Sequence, residues 1–159
     1  MKKLNMGVRS IKSRFYGEDI EMTVKLIDKI EKPIKILYYL MNQQSEESFV
    51  VILLSAQNLD LYQILMQEKR ETDMIFEVDK ESSLYAVICQ DTKVDGGYYY
   101  FNRATKAIFA NGGEDIYSTI IGVKKPNYPI EGIALKLIET FSKAKKDSHS
   151  LENIFDVLP

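Results

Sequence analysis

A single cysteine excludes an internal disulfide, and Cys89 stands in the apolar alternation Leu84-Tyr85-Ala86-Val87-Ile88-Cys89, which predicts a buried thiol. Histidine is equally scarce. His149 is the only one, set in the polar stretch Asp147-Ser148-His149-Ser150. That excludes a histidine metal cluster and a Cys/His or Ser/His triad, and with them hydrolase chemistry of those kinds. Long hydrophobic runs are missing as well: Phe49 to Leu54 falls far short of a membrane span, and Met1-Lys2-Lys3-Leu4 is not followed by a signal-type apolar segment. A soluble cytoplasmic protein without integral membrane association is expected. The formal net charge of -2 offers no global attraction to nucleic acid.

What is present is a globular composition, with 45% hydrophobic and 28% charged residues in 159, enough for one core. The expected organisation is a basic N-terminal arm over 1–17, one domain over 18–150 and a C-terminal tail over 151–159. The arm holds Lys2, Lys3, Arg9, Lys12 and Arg14 and no acid. Leu4, Val8, Ile11 and Phe15 recur at helical spacing, although Gly7 weakens a helix there. The segment reads as a docked or frayed terminus, or as an arm for a partner or a membrane surface. No internal repeat or low-complexity stretch is evident.

Ile20, Val24, Ile27 and Ile30 form a helical stripe that meets Pro33, and Lys35 to Gln43 forms a second helix or a continuation beyond a kink. Phe49-Val50-Val51-Ile52-Leu53-Leu54 is short, continuously apolar and β-branched, as a strand buried on both faces should be. Asn58 can cap the next helix, which carries Leu59, Tyr62, Leu65 and Met66 and ends near Lys69-Arg70. Met74 to Val78 and Ser83 to Cys89 read as a hairpin around a polar turn. Asp95-Gly96-Gly97 precedes a helix with a Tyr98, Phe101, Ala104, Ile108 stripe, which leaves Tyr99 or Tyr100 free as a contact surface. Asn111-Gly112-Gly113 stops that helix. A strand over Ile116 to Val123, a helix from Ile130 to Lys146 and the tail complete the chain.

The order after the leading helices is β-α-β-β-α-β. It predicts an α+β sandwich with a mostly antiparallel central sheet, related to the ferredoxin-like and nucleotide-cyclase arrangements.

From about Ile20 to Ser150 this order resembles the GGDEF domain of diguanylate cyclases, enzymes that make cyclic di-GMP from GTP. Three stretches carry the resemblance. Arg70-Glu71-Thr72-Asp73 precedes the hairpin as the family's Arg-x-x-Asp motif does. Tyr117-Ser118-Thr119-Ile120-Ile121-Gly122-Val123 is similar to the family's Ser-x-Gly strand, with one extra residue. Phe141-Ser142-Lys143-Ala144-Lys145 resembles its Leu-Tyr-x-Ala-Lys segment.

The resemblance implies a Gly-Gly-(Asp/Glu)-Glu-Phe signature at the hairpin turn, which here falls at Glu81-Ser82-Ser83-Leu84-Tyr85. Ser82 and Ser83 remove the glycines, and Leu84 replaces an acid. It also implies a metal-binding aspartate at the end of the central strand, where Ser55, Ala56, Gln57 and Asn58 are neutral. Asp60 is expected inside the next helix. Bare backbone near GTP and carboxylates holding a divalent metal are what such chemistry needs, so a degenerate, catalytically inactive domain with no metal cofactor is expected. Gly112-Gly113-Glu114-Asp115 imitates the signature but lies about thirty residues too late, and reads as a helix stop and a solvated turn.

The same resemblance makes Arg70 and Asp73 candidate ligands for cyclic di-GMP, through guanine O6/N7 and N1/N2. Seven residues, Met74 to Lys80, separate Asp73 from Glu81, two more than the family pattern has, and one extra residue per strand absorbs the difference. The alternative is a solvated pair worth about 0–1 kcal/mol. Lys145 resembles the family's phosphate-contacting lysine, or else serves with Lys143 and Lys146 as a cationic helix end. The expected function is a signalling module that binds a protein partner, cyclic di-GMP or both. The alternatives are a scaffold with no nucleotide ligand, such as a homodimer joined through its N-terminal helices, and an atypical GTP-binding or cyclase enzyme.

Overall fold

The computed structural model describes residues 16–147 and 153–157; residues 1–15 of the expected 1–17 arm, and His149, lie outside the described residues, and Gly17 already belongs to the first helix. The elements are α1 (Gly17–Asn42), β1 (Phe49–Gln57), α2 (Leu61–Glu68), β2 (Met74–Asp79), β3 (Leu84–Gln90), α3 (Val94–Ala110), β4 (Glu114–Val123), α4 (Ile130–Lys146) and β5 (Asn153–Val157). The strands make one sheet in the order β2-β3-β1-β4-β5. All pairs are antiparallel except β4 with β5.

β1 is the centre, as its unbroken apolar run requires. Val51 lies opposite Ile88 on one side and Ile121 on the other. Phe49, Val51 and Leu53 face α1 and α4, whereas Val50, Ile52, Leu54 and Ala56 face α2 and α3. A fully buried Val, Leu, Ile or Phe contributes about 1.5–3 kcal/mol, so this strand is a large share of the core.

Of the two readings at Pro33 the continuation holds: α1 is one helix of 26 residues with Pro33 inside it. Its buried face is Thr23, Leu26, Ile30, Ile34, Leu37 and Met41, so burial on both sides of the proline offsets the lost hydrogen bond. Several other local expectations are corrected. Ile20 and Val24 of the expected stripe are exposed. Four positions read as far as Pro33 could not separate that stripe from its neighbour; the full helix length does. Asp60, not Asn58, caps α2, its carboxylate accepting from the Gln63 N–H at 3.2 Å. The helix ends at Glu68 because Lys69 turns to an extended backbone.

Gly96 and Gly97 lie in the first turn of α3 rather than before it. A Cβ on Gly97 would sit 2.8 Å from the Val50 side chain, so the glycine lets α3 lie close on the sheet. On that helix Phe101, Ala104 and Ile108 are buried as expected. Tyr100 is buried too, its hydroxyl donating to the Leu65 carbonyl at 2.9 Å, while Tyr98 and Tyr99 are exposed. Gly112 stops the helix at φ +80, and the Gly113 N–H returns to the Ile108 carbonyl at 2.9 Å. Glu114 and Asp115 then open β4 instead of forming a turn, Glu114 pairing with Gln57.

The expected tail contains β5, which adds to β4 in parallel with Ser118 opposite Asn153. A helical crossover such as α4 is what brings a chain back to run in the same direction. Among the described residues, no helix is long and apolar enough to cross a membrane.

Substituting Gly113→Ala forces a Cβ into the Ile108 side chain and to 3.0 Å from its carbonyl oxygen. A loss of about 1–3 kcal/mol is expected from such overpacking, read as a lower urea midpoint. Gly17→Ala, with open space around it, should shift stability by less than about 1 kcal/mol.

Candidate functional site

Arg70 and Asp73 are brought together by the turn between α2 and β2, and they engage each other. The Asp73 carboxylate accepts from the Arg70 backbone N–H at 2.8 Å through one oxygen and from guanidinium Nη2 and Nε at 2.8 and 3.1 Å through the other. The Asp73 N–H returns to the Arg70 carbonyl at 3.1 Å. Nη2 also donates to the Gln90 carbonyl at 3.0 Å and to Thr92 Oγ1 at 2.7 Å, which ties the turn to the end of β3. The Asp73 side chain is 1% exposed and that of Arg70 49%, so this is a part-buried staple rather than the solvated pair of the bland expectation.

The residues beneath it belong to the same knot. Burial pushes the Cys89 thiol up to about 12, and the Asp73 charge adds to that effect, so Cys89 is the inert buried thiol its sequence context suggested. Glu46 is buried in the loop after α1; one of its oxygens accepts from the Asp91 N–H, and burial raises its carboxyl above the ordinary value. Gln43-Gln44-Ser45-Glu46-Glu47 reads as a solvated connector, so the sequence carries no signal for this buried acid.

The signature position lies at the other end of β2, in the turn over Lys80 to Ser83. The Ser83 N–H reaches the Lys80 carbonyl at 3.1 Å, and Ser83 holds the left-handed backbone that glycine adopts at no steric cost. Asp79 accepts from Lys25 Nζ at 2.8 Å and, through its second oxygen, from Ser82 Oγ at 2.5 Å and the Ser82 N–H at 3.1 Å. The hydrogen bond from Lys25 and then that from Ser82 hold its carboxyl below the usual aspartate range. Leu84 is buried in the core, and Tyr85 donates to Glu77 at 3.1 Å. Glu81 is exposed.

Across from this turn, at the end of β1, Ser55 is buried and Gln57 Nε2 donates to the Ser82 carbonyl at 3.1 Å. The end of β1, where the family resemblance would put a metal-binding aspartate, is thus tied by a neutral hydrogen bond to the backbone of the hairpin turn, and Leu84, which stands where it would put an acid, is in the core. Asp60 stays at its helix cap. Among the described residues, no group of three or more His, Cys, Asp or Glu could hold a metal ion. Lys145 lines a groove of about 420 Å³ together with Asp79, Ser82 and Leu84, so the fold does bring it beside the hairpin turn. Its Nζ lies 5.8 Å from the Phe141 ring centroid. Arg70 and Asp73 are not part of that groove.

The four antiparallel strands with helices on both faces define a GGDEF-like nucleotide-cyclase fold. One solved structure of that kind, the diguanylate cyclase SiaD in complex with its activator SiaC from Pseudomonas aeruginosa, matches with a TM-score of 0.60 at 8% sequence identity. The likeness covers 79% of this chain and 56% of that chain, and it establishes the fold alone. No family model matches the sequence, and no curated protein does.

Two outcomes follow for the paired groups. Arg70→Ala leaves a buried carboxylate without its cation and should lower stability by about 1–3 kcal/mol in urea unfolding, and Arg70→Lys, lacking the fork, should recover only part. Asp79 has a folded value below its ordinary 3.8, so its contribution is fully present above that value and is lost as the pH falls through the lower folded one. Asp79→Asn should therefore weaken the protein at neutral pH, and its deficit relative to wild type should shrink in acid melts below about pH 4.

Proposed function

We propose that the chain is a non-catalytic signalling module of GGDEF-like fold that works by binding a protein partner in the cytoplasm. The observation that carries this reading is the clasp of Gln57 onto the Ser82 carbonyl, with Ser82 in turn holding Asp79. Phosphoryl transfer is almost entirely metal placement and electrostatic positioning, and here a neutral amide, Gln57, stands at the end of β1 bonded to the turn backbone while the Ser82 hydroxyl donates to Asp79. A cyclase reading would need that clasp to open and carboxylates to arrive from elsewhere.

A second reading, cyclic di-GMP held by Arg70 and Asp73, has one observation in its favour: the Arg70 side chain is half exposed. Against it, both Asp73 oxygens already accept hydrogen bonds from Arg70. Guanine recognition would first have to break the staple and strand a buried carboxylate, which counts against affinity.

Incubating the chain with GTP and magnesium should yield no cyclic di-GMP, and product formation would overturn the non-catalytic reading. Calorimetric titration of cyclic di-GMP should give no heat of binding with wild type or Arg70→Ala. Heat with wild type that disappears in Arg70→Ala would move the ligand from protein to nucleotide.

A further inference from the structure

Among the described residues β2 is an end strand of the sheet, so every second residue turns its backbone N–H and C=O outward without a ladder partner there. Its C-terminal half is blunted by Glu77, Asp79 and the bulge between them. The N-terminal half, Met74-Ile75-Phe76, has no charge, bulge or proline to protect it. A groove of about 680 Å³ runs along this half. One wall is α1, with Pro33, Ile36 and Leu40, and the other is α2, with Tyr62 and Met66. Ile36 is 62% exposed, Tyr62 45% and Met66 41%. That clusters large apolar side chains in water around an open strand edge.

The walls match the period of a strand. Met74 and Phe76 pack with the α1 side of the core and Ile75 with the α2 side. A segment laid along this edge would send alternate side chains against the α1 wall and the α2 wall. The cations lining the groove are Lys32 and Lys69. Its acid, Asp73, is held by Arg70, and although Lys69 Nζ also donates to the Arg70 and Asp73 carbonyls at 3.0 and 3.2 Å, those acceptors are neutral, so the two lysines set the sign of the rim.

We propose that this groove takes an extended segment of a partner protein, which adds to β2 as a further strand. The segment is apolar at alternate positions and carries an Asp or Glu that meets Lys32 or Lys69. Main-chain hydrogen bonds to the strand edge supply affinity, and the two apolar walls supply selectivity. A second copy of this chain is the less suited occupant. Two-fold pairing would bring its own α1 and α2 walls, with the exposed Ile36 and Tyr62, against these walls.

The inference rests on the binding-module reading, and its test is independent of GTP turnover. Random peptides displayed on phage are panned against the full chain and against Ile36→Asp, a change at an exposed position that leaves the core intact. The enriched sequence is then made as a synthetic peptide. The expected result is a pattern of alternating apolar residues with an acid, selected by wild type. The synthetic peptide should bind Ile36→Asp or Met66→Asp at least about tenfold more weakly. Lys32→Glu should disfavour the acidic peptide, and hydrogen exchange should slow at Met74 to Phe76 when it binds. No enrichment over Ile36→Asp, or a peptide that leaves exchange at Met74 to Phe76 unchanged, overturns the proposal. So does a concentration-dependent dimer in sedimentation that Ile36→Asp dissolves, because the groove would then belong to a second copy. Cyclic di-GMP formation from GTP would overturn the non-catalytic reading and leave the groove result standing.

Discussion

Burial of β1 on both of its faces is the constraint from which the rest of the arrangement descends. A strand with Phe49 to Ala56 all removed from water has to be paired along both edges and covered on both sides. β3 and β4 satisfy the edges; α1 with α4, and α2 with α3, satisfy the faces. Once β1 holds the centre, the hairpin partner β2 is pushed to the rim of the sheet, and the end of β1 is brought against the hairpin turn. The exposed edge and the Gln57–Ser82 contact are both consequences of that one placement.

The two ends of β2 are fastened by ion pairs of different character. At the Asp79 end the lysine is largely in water, and the carboxylate is also held by Ser82. Screening limits what such a pair contributes on its own. At the Asp73 end the carboxylate is buried, and the arginine fork closes the turn and reaches across to β3. Losing one partner there strands a charge, so the contact matters through what its absence would cost. The strand between these fastenings keeps an open edge on its N-terminal half, where the surface is most apolar.

The fold sets the hairpin turn, the end of β1 and the last turn of α4 near one another. Ser83 adopts the left-handed turn that a glycine would favour, Lys145 borders the hairpin, and Arg70 and Asp73 precede β2. At the hairpin turn the Gln57 amide donates to the Ser82 carbonyl, and the Ser82 hydroxyl and Lys25 hold the Asp79 carboxylate. A fold does not by itself fix an activity, which depends on the side chains the scaffold presents.

The sequence alone determined the elements whose signals are local. The apolar β-branched run of β1, the hairpin, the bounds of α4 at Ile130 and Lys146, and the glycine stop at Gly112 could each be read from neighbouring residues, because strand period, helix period and the left-handed preference of glycine act over a few positions. The β-α-β-β-α-β order followed from them. What depended on distant partners could not be read that way. Pro33 stays within α1 because the sheet buries Ile30 and Ile34 on either side of it. β5 exists because α4 carries the chain back along β4. Glu46 is buried because the Asp91 loop folds over it. Arg70 and Asp73 were legible as a pair of residue types, but only the tertiary structure decided that they hold each other, since the Gln90 carbonyl and Thr92 that orient the guanidinium arrive from the far end of the hairpin.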